Sequence, residues 1–148
     1  MKRAAKIITV LTFILYTLAF TGCTFRIVNN FGIADVKSFV LTLSNDCKSD
    51  IYGYRIEYYL DGKPIGGQVA INADESKLSK KQNMEAVFGE NFFPDEADIS
   101  AFQIEIYVLD ENMNESEPTD IVAISAEYGK KYEISVNGSF EDGFKAEL

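Results

Sequence analysis

Phe102-Gln103-Ile104-Glu105-Ile106-Tyr107-Val108 sets large apolar side chains at every second position, with polar or amphipathic ones between them. Successive side chains of a strand point to opposite faces. The heptapeptide therefore predicts a half-buried antiparallel strand with Phe102, Ile104, Ile106 and Val108 inward. Ile51 to Leu60 repeats the pattern. Tyr52, Tyr54, Ile56, Tyr58 and Leu60 share one face, and Arg55, Glu57 and Tyr59 share the other. Asp61-Gly62 follows at once, a strong hairpin signal because both central positions of a type I′ turn need positive φ. The returning strand spans Ile65 to Ile71, and Pro64 with Gly66-Gly67 predicts an edge or a bulge there.

The rest of the chain continues in short alternating runs. Lys37 to Leu43 places Phe39, Leu41 and Leu43 on one face, and the polar run SNDCKSD (44–50) predicts a turn. Residues 72–83 read as a polar loop around one apolar side chain, Leu78. Met84 to Phe88 fits a short strand or one helical turn, and Phe92-Phe93-Pro94 forms an apolar knot expected to cap the core. Ile121 to Ala126 reads as a central strand because it is largely apolar. Turns are expected at Tyr128-Gly129-Lys130 and at Asn137-Gly138. They flank a strand through Tyr132, Ile134 and Val136, and Phe144, Ala146 and Leu148 close the pattern. Seven to nine short strands with turn signals between them, and no long helix, predict an all-β fold. The expected architecture is an antiparallel immunoglobulin-like β-sandwich over residues 36–148. Only architecture is implied, since paired cysteines and a core tryptophan are both missing.

Composition narrows the function. Hydrophobic residues make up 47% of the 148-residue chain and aromatics 13%, enough for a real core. The formal net charge is −9. Setting aside Lys2, Arg3 and Lys6 at the N-terminus leaves 11 of the 14 basic residues against 23 acidic ones, a net charge of about −12. That balance keeps an exposed protein soluble, and it opposes nucleic acid and anionic lipid headgroups as partners. There is no histidine. A Ser–His or Cys–His pair is therefore impossible, and the commonest zinc and copper ligand is missing. The expectation is a protein that is not an enzyme and carries no resident cofactor.

Residues 1–23 read MKRAAKIITVLTFILYTLAFTGC. Lys2, Arg3 and Lys6 form a positive n-region, and the apolar stretch from Ile7 to Phe20 is shorter than the roughly 20 residues a spanning helix needs. The stretch runs into Phe20-Thr21-Gly22-Cys23, which resembles the lipobox of bacterial lipoprotein signal peptides. Thr21, Gly22 and Cys23 match that pattern, and Phe20 stands where leucine is usual. The resemblance covers residues 1–23 alone. It implies a signal peptide over 1–22, lipidation of Cys23, and an exported domain tethered to the outer face of a membrane by its N-terminal lipid. An uncleaved N-terminal anchor or ordinary secretory cleavage are the alternative readings. Residues 23–35 would form the tether, about 40 Å at ~3.3 Å per residue when fully extended, which keeps the domain near its membrane. Cys47 then has no partner within the chain. Beside Lys48 in a polar turn, it reads as an incidental turn cysteine, with an intermolecular disulfide as the alternative.

Two other groups of residues bear on binding. Asp110, Asn112 and Asn114 match the D-x-N-x-N opening of a calcium loop, in which alternate side chains supply hard oxygen ligands. Glu115 then stands where glycine is needed and Ile121 where the bidentate glutamate belongs, so the expected reading is a solvated hairpin loop, with a weak calcium site as the alternative. Tyr59 and Arg55 point away from the core face of their strand and are the candidate partner-binding residues, for an envelope protein or a glycan. Together these readings give a non-catalytic envelope lipoprotein that binds or scaffolds another envelope component. The alternative is a small-ligand module for calcium or a glycan. If Cys23 carries the lipid, Cys23→Ala will abolish incorporation of radiolabelled fatty acid and move the chain from the membrane to the soluble fraction. Unchanged labelling would overturn the assignment.

Overall fold

The computed structural model describes residues 37–148, so the signal peptide, Cys23 and the tether lie outside the described residues. Eight strands form two four-stranded sheets. In chain order they are β1 (Ser38–Cys47), β2 (Gly53–Leu60), β3 (Lys63–Ile71), β4 (Asn83–Gly89), β5 (Phe102–Leu109), β6 (Val122–Ile124), β7 (Lys131–Ser139) and β8 (Gly143–Glu147). One sheet has the order β4-β1-β7-β8 and the other β3-β2-β5-β6. Pairing is antiparallel except between β1 and β7, which run parallel. The only other regular elements among the described residues are 3-10 turns at Glu90–Phe92 and Ile99–Ala101.

The inward faces are those the alternation predicts. Phe102, Ile104, Ile106 and Val108 of β5 are fully buried, as are Tyr54, Ile56 and Tyr58 of β2. Aromatic rings bridge the sheets. Phe39 of β1 lies 5.4 Å from Phe102 of β5, and Phe88 of β4 lies 5.0 Å from Tyr58 of β2. Phe93, behind the first 3-10 turn, closes this end of the core against Phe39 and Phe102 at 6.0 and 5.7 Å, while Phe92 stays exposed. The hydroxyls of Tyr54 and Tyr58 are buried with no hydrogen-bond partner among the described residues. Those two side chains serve the core through ring area alone, and burial pushes both phenols well above their ordinary pKa.

Asp61 and Gly62 both have positive φ, 51° and 70°, and make the expected tight β2–β3 hairpin. The β2–β3 register shifts between Tyr58 and Tyr59, where Tyr58 faces Gly66 and Tyr59 faces Pro64. Pro64 and the paired glycines thus mark an edge strand and a bulge at once. Met84 to Phe88 belongs to strand β4, and Leu78 is buried under a loop without helix.

Three local expectations are corrected. The run SNDCKSD is not all turn, because β1 continues through Cys47. A polar residue does not end a strand when its own groups are satisfied. The buried Asn45 donates from Nδ2 to the carbonyls of Leu78 and Ser79, each at 3.1 Å, and accepts from the Cys47 N–H at 3.1 Å. Cys47 is consequently a core residue, 2% exposed, with its thiol directed at the Val136 carbonyl. Burial pushes this thiol up to about 11 against the opposing charge of Lys80, while Lys48 pairs instead with Asp142. An intermolecular disulfide has no access to it in the folded state.

The second correction concerns Ile121 to Ala126. β6 is a three-residue edge strand, and Ile121 is exposed. Only Val122, Ile124 and Ala126 turn inward, which is edge-strand alternation rather than a two-sided apolar run. The third is Asn137-Gly138, which does not turn. β7 passes straight through it and reverses after Ser139. Gly138 is there for closeness, since a Cβ on it would sit 2.2 Å from the Gly143 carbonyl oxygen. Asn45→Ala leaves the Leu78 and Ser79 carbonyls and the Cys47 N–H short of partners. It should lower the unfolding free energy by about 2–3 kcal/mol in urea titration. A loss below about 0.5 kcal/mol would mean the amide is not what holds the 78–82 loop to β1.

Candidate functional site

β2 and β5 are the central strands of their sheet, and their inward residues fix what the outer face presents. Burying Tyr54, Ile56 and Tyr58 turns Arg55, Glu57 and Tyr59 out, and burying Ile104, Ile106 and Val108 does the same for Gln103, Glu105 and Tyr107. The register sets Arg55 opposite Tyr107, Glu57 opposite Glu105 and Tyr59 opposite Gln103. Two acidic side chains directly across a ladder are unfavourable unless their neighbours compensate. Here the neighbours do so.

The Arg55 guanidinium lies 3.6 Å above the Tyr107 ring centroid, a cation–π placement. It also pairs with Glu57, and its Nε donates to Glu115 Oε1 at 2.6 Å. The Tyr59 hydroxyl stands between the opposed acids, 2.7 Å from Glu57 Oε2 and 3.2 Å from Glu105 Oε2, so its one proton serves both. Tyr107 donates to Glu105 Oε2 at 2.9 Å. Hydrogen bonds from Tyr59 and then Arg55 hold Glu57 below the usual carboxylate range. The acceptors Glu57 and Glu105 raise the Tyr59 and Tyr107 phenols, which keeps them protonated as donors. Arg55 is held as a cation, first by Glu115. The outcome is a pre-organised patch with one guanidinium among three acidic side chains on an open sheet surface. Beyond Arg55 on β3 stand Val69 and Ile71, 57% and 36% exposed.

Arg55 and Tyr59, singled out from the sequence, therefore meet through Glu57. Asp110, Asn112 and Asn114 form a separate group in the β5–β6 loop. Asp110 Oδ1 accepts from the N–H groups of Asn112 and Asn114, both at 2.8 Å, and Oδ2 accepts from Asn114 Nδ2 at 3.0 Å. The carboxylate is the internal anchor of the loop, and these donors, Asn114 first, lower its pKa. Among the described residues no group of three or more Asp, Glu, Cys or His side chains is placed to hold a metal ion. The loop returns along β5 as an extension of the β6 edge. Thr119 and Ser116 exchange bonds with Ile106 and Val108 through their hydroxyls as well as their backbone N–H groups. Glu115 pairs beside Leu109 and so carries this loop to Arg55. Sequence reading alone does not select Glu105, Tyr107 and Glu115, because their place in the patch depends on strand register.

No family model and no curated protein matches the chain. Among solved structures, the membrane-binding domain of pneumolysin aligns at 12% identity and a TM-score of 0.40, over 75% of this chain and 95% of that one. Whole pneumolysin aligns at 10% identity and a TM-score of 0.37, over 76% of this chain and 23% of that one. A Gram-negative toxin aligns at 8% identity and a TM-score of 0.32, with the same two coverages. These likenesses are too distant for any property of this chain to rest on them.

The depressed pKa of Asp110 has a definite pH consequence. Its contribution to stability is present above the ordinary aspartate value of 3.8 and is lost as pH falls through the lower folded value. Wild type and Asp110→Asn should therefore differ in urea midpoint near neutral pH and converge as pH falls below that range. A difference independent of pH would show that the charge plays no part in closing the loop.

Proposed function

We propose that this protein is an exported, membrane-anchored envelope lipoprotein whose β-sandwich, immunoglobulin-like in layering, binds or scaffolds another envelope component. Two four-stranded sheets over one core support the immunoglobulin-like reading. The observation that carries the binding reading is the outer face of β3-β2-β5-β6. There the Arg55–Tyr107 stack and the Glu57–Tyr59–Glu105 bridge are held ready beside exposed Val69 and Ile71. A cation–aromatic anchor beside exposed apolar side chains on a rigid sheet is the composition of a protein interface.

Catalysis is no part of the proposal, because Glu57 and Glu105 lie on an open strand surface. Calcium and glycan ligands remain the second reading and draw less support. Both Asp110 oxygens are occupied by the loop's own donors, and Arg55 already covers one face of Tyr107, which a sugar would need for stacking. The test is a photo-crosslinking residue at Gln103, on the proposed face, and another at Lys145 on β8 of the opposite sheet, in intact cells. A discrete adduct from position 103, not from 145, and lost with Arg55→Glu is expected. No adduct from position 103, or equal adducts from both, would overturn the proposal.

A further inference from the structure

The four edge strands are not equally protected. An exposed edge offers unpaired N–H and C=O groups to any extended chain, and proteins blunt it with charge, proline, bulges or brevity. β6 is only three residues long, with its extension tied down by Ser116 and Thr119. β8 has five residues and carries Lys145 and Glu147, and β4 carries Glu85 on the same outward face as Val87, which is 67% exposed. β3 has Lys63, Pro64 and the bulge, but all of these lie in its first half. Gln68-Val69-Ala70-Ile71 has no charge, no proline and no register shift. Its free edge has no backbone partner among the described residues, and Val69 is 57% exposed.

The neighbouring charge selects what could fit there. Gly67 faces Glu57 across the β2–β3 ladder and has no side chain to screen it. A strand added beyond β3 would lie about 4.8 Å from it and twice that from β2. A lysine opposite Gly67 would reach over the glycine towards Glu57 along its four-carbon stem. Glu57 has lone pairs to spare beyond Arg55 and Tyr59. A second copy of this chain is disfavoured, because it brings the same acidic surface to the contact and a net charge of −9 to each partner.

The geometry points to β3 as a docking edge for an extended, lysine-bearing segment of a partner protein, which adds antiparallel or parallel to Gln68–Ile71 as a fifth strand. Main-chain hydrogen bonds supply the binding, Val69 and Ile71 supply apolar contact, and Glu57 supplies the preference for a basic residue. This inference rests on the binding reading of the same face and names the partner's chemistry.

The test uses the full chain in detergent micelles and a synthetic nine-residue peptide of alternating valine and lysine, with its valine–glutamate counterpart as control. The lysine peptide should bind saturably and slow amide hydrogen exchange in Gln68–Ile71 at least tenfold. Val69→Lys should weaken binding about tenfold, and Glu57→Gln about threefold, with a matching loss of salt dependence. Absence of protection on β3, equal binding of the glutamate peptide, or self-association of the chain through β3 would each overturn it. Failure here is separable from failure of the broader reading. A Gln103 adduct that survives Val69→Lys but not Arg55→Glu would leave the face as a binding surface and remove strand addition.

Discussion

Phe39, Phe88, Tyr58 and Phe102 come from four strands and both sheets, and their rings meet at centroid distances between 5.0 and 5.9 Å. Edge-to-face and offset contacts of this kind contribute about 0.5–1.5 kcal/mol each beyond the area they bury. Their larger effect is geometric. With no disulfide among the described residues, the interlocked rings fix how the two sheets sit on one another. Phe93 closes the same cluster from outside the sheets, which gives the loop after β4 a structural task.

Once the inner faces are committed to that cluster, the outer face of β2 and β5 follows without further choice. Period-two alternation sends Arg55, Glu57, Tyr59, Glu105 and Tyr107 outward, and the register brings them together. The opposed Glu57 and Glu105 would weaken an ordinary ladder. They are tolerated because one cation and two phenol donors are arranged around them, and the cation is in turn stacked on Tyr107. Through Glu115 the same cation reaches the β5–β6 loop, itself closed by Asp110. The patch is therefore rigid for reasons that lie in the strands, and rigidity lowers the entropy cost of binding at such a surface.

Buried polar groups divide into two kinds. Asn45 spends its amide on the 78–82 loop and lets β1 continue inward to Cys47. Tyr54 and Tyr58 bury hydroxyls with no partner, a cost of about 1–3 kcal/mol each that the rings' packing must offset. One kind specifies a connection, and the other is accepted for the sake of ring area.

The class of fold is written in the residues, because alternation at β2, β5 and β7 is a local property that needs no knowledge of partners. The Asp61-Gly62 hairpin was legible for the same reason: positive φ at two adjacent positions is written in the residues. Arg55 and Tyr59 could be placed on an outward face, and nothing more. Where sequence reading failed, a distant segment had decided the matter. The run around Asn45 reads locally as a turn, yet the Leu78 and Ser79 carbonyls accept from its side chain and the strand continues. Asn137-Gly138 reads locally as a turn, yet the Gly143 backbone presses against Gly138 and the strand runs through. The parallel β1–β7 pairing, the edge position of β6 and the union of Arg55 with Tyr107 and Glu115 belong to tertiary structure. Register and strand order are set by which faces pack together, and no local run of residues contains that information.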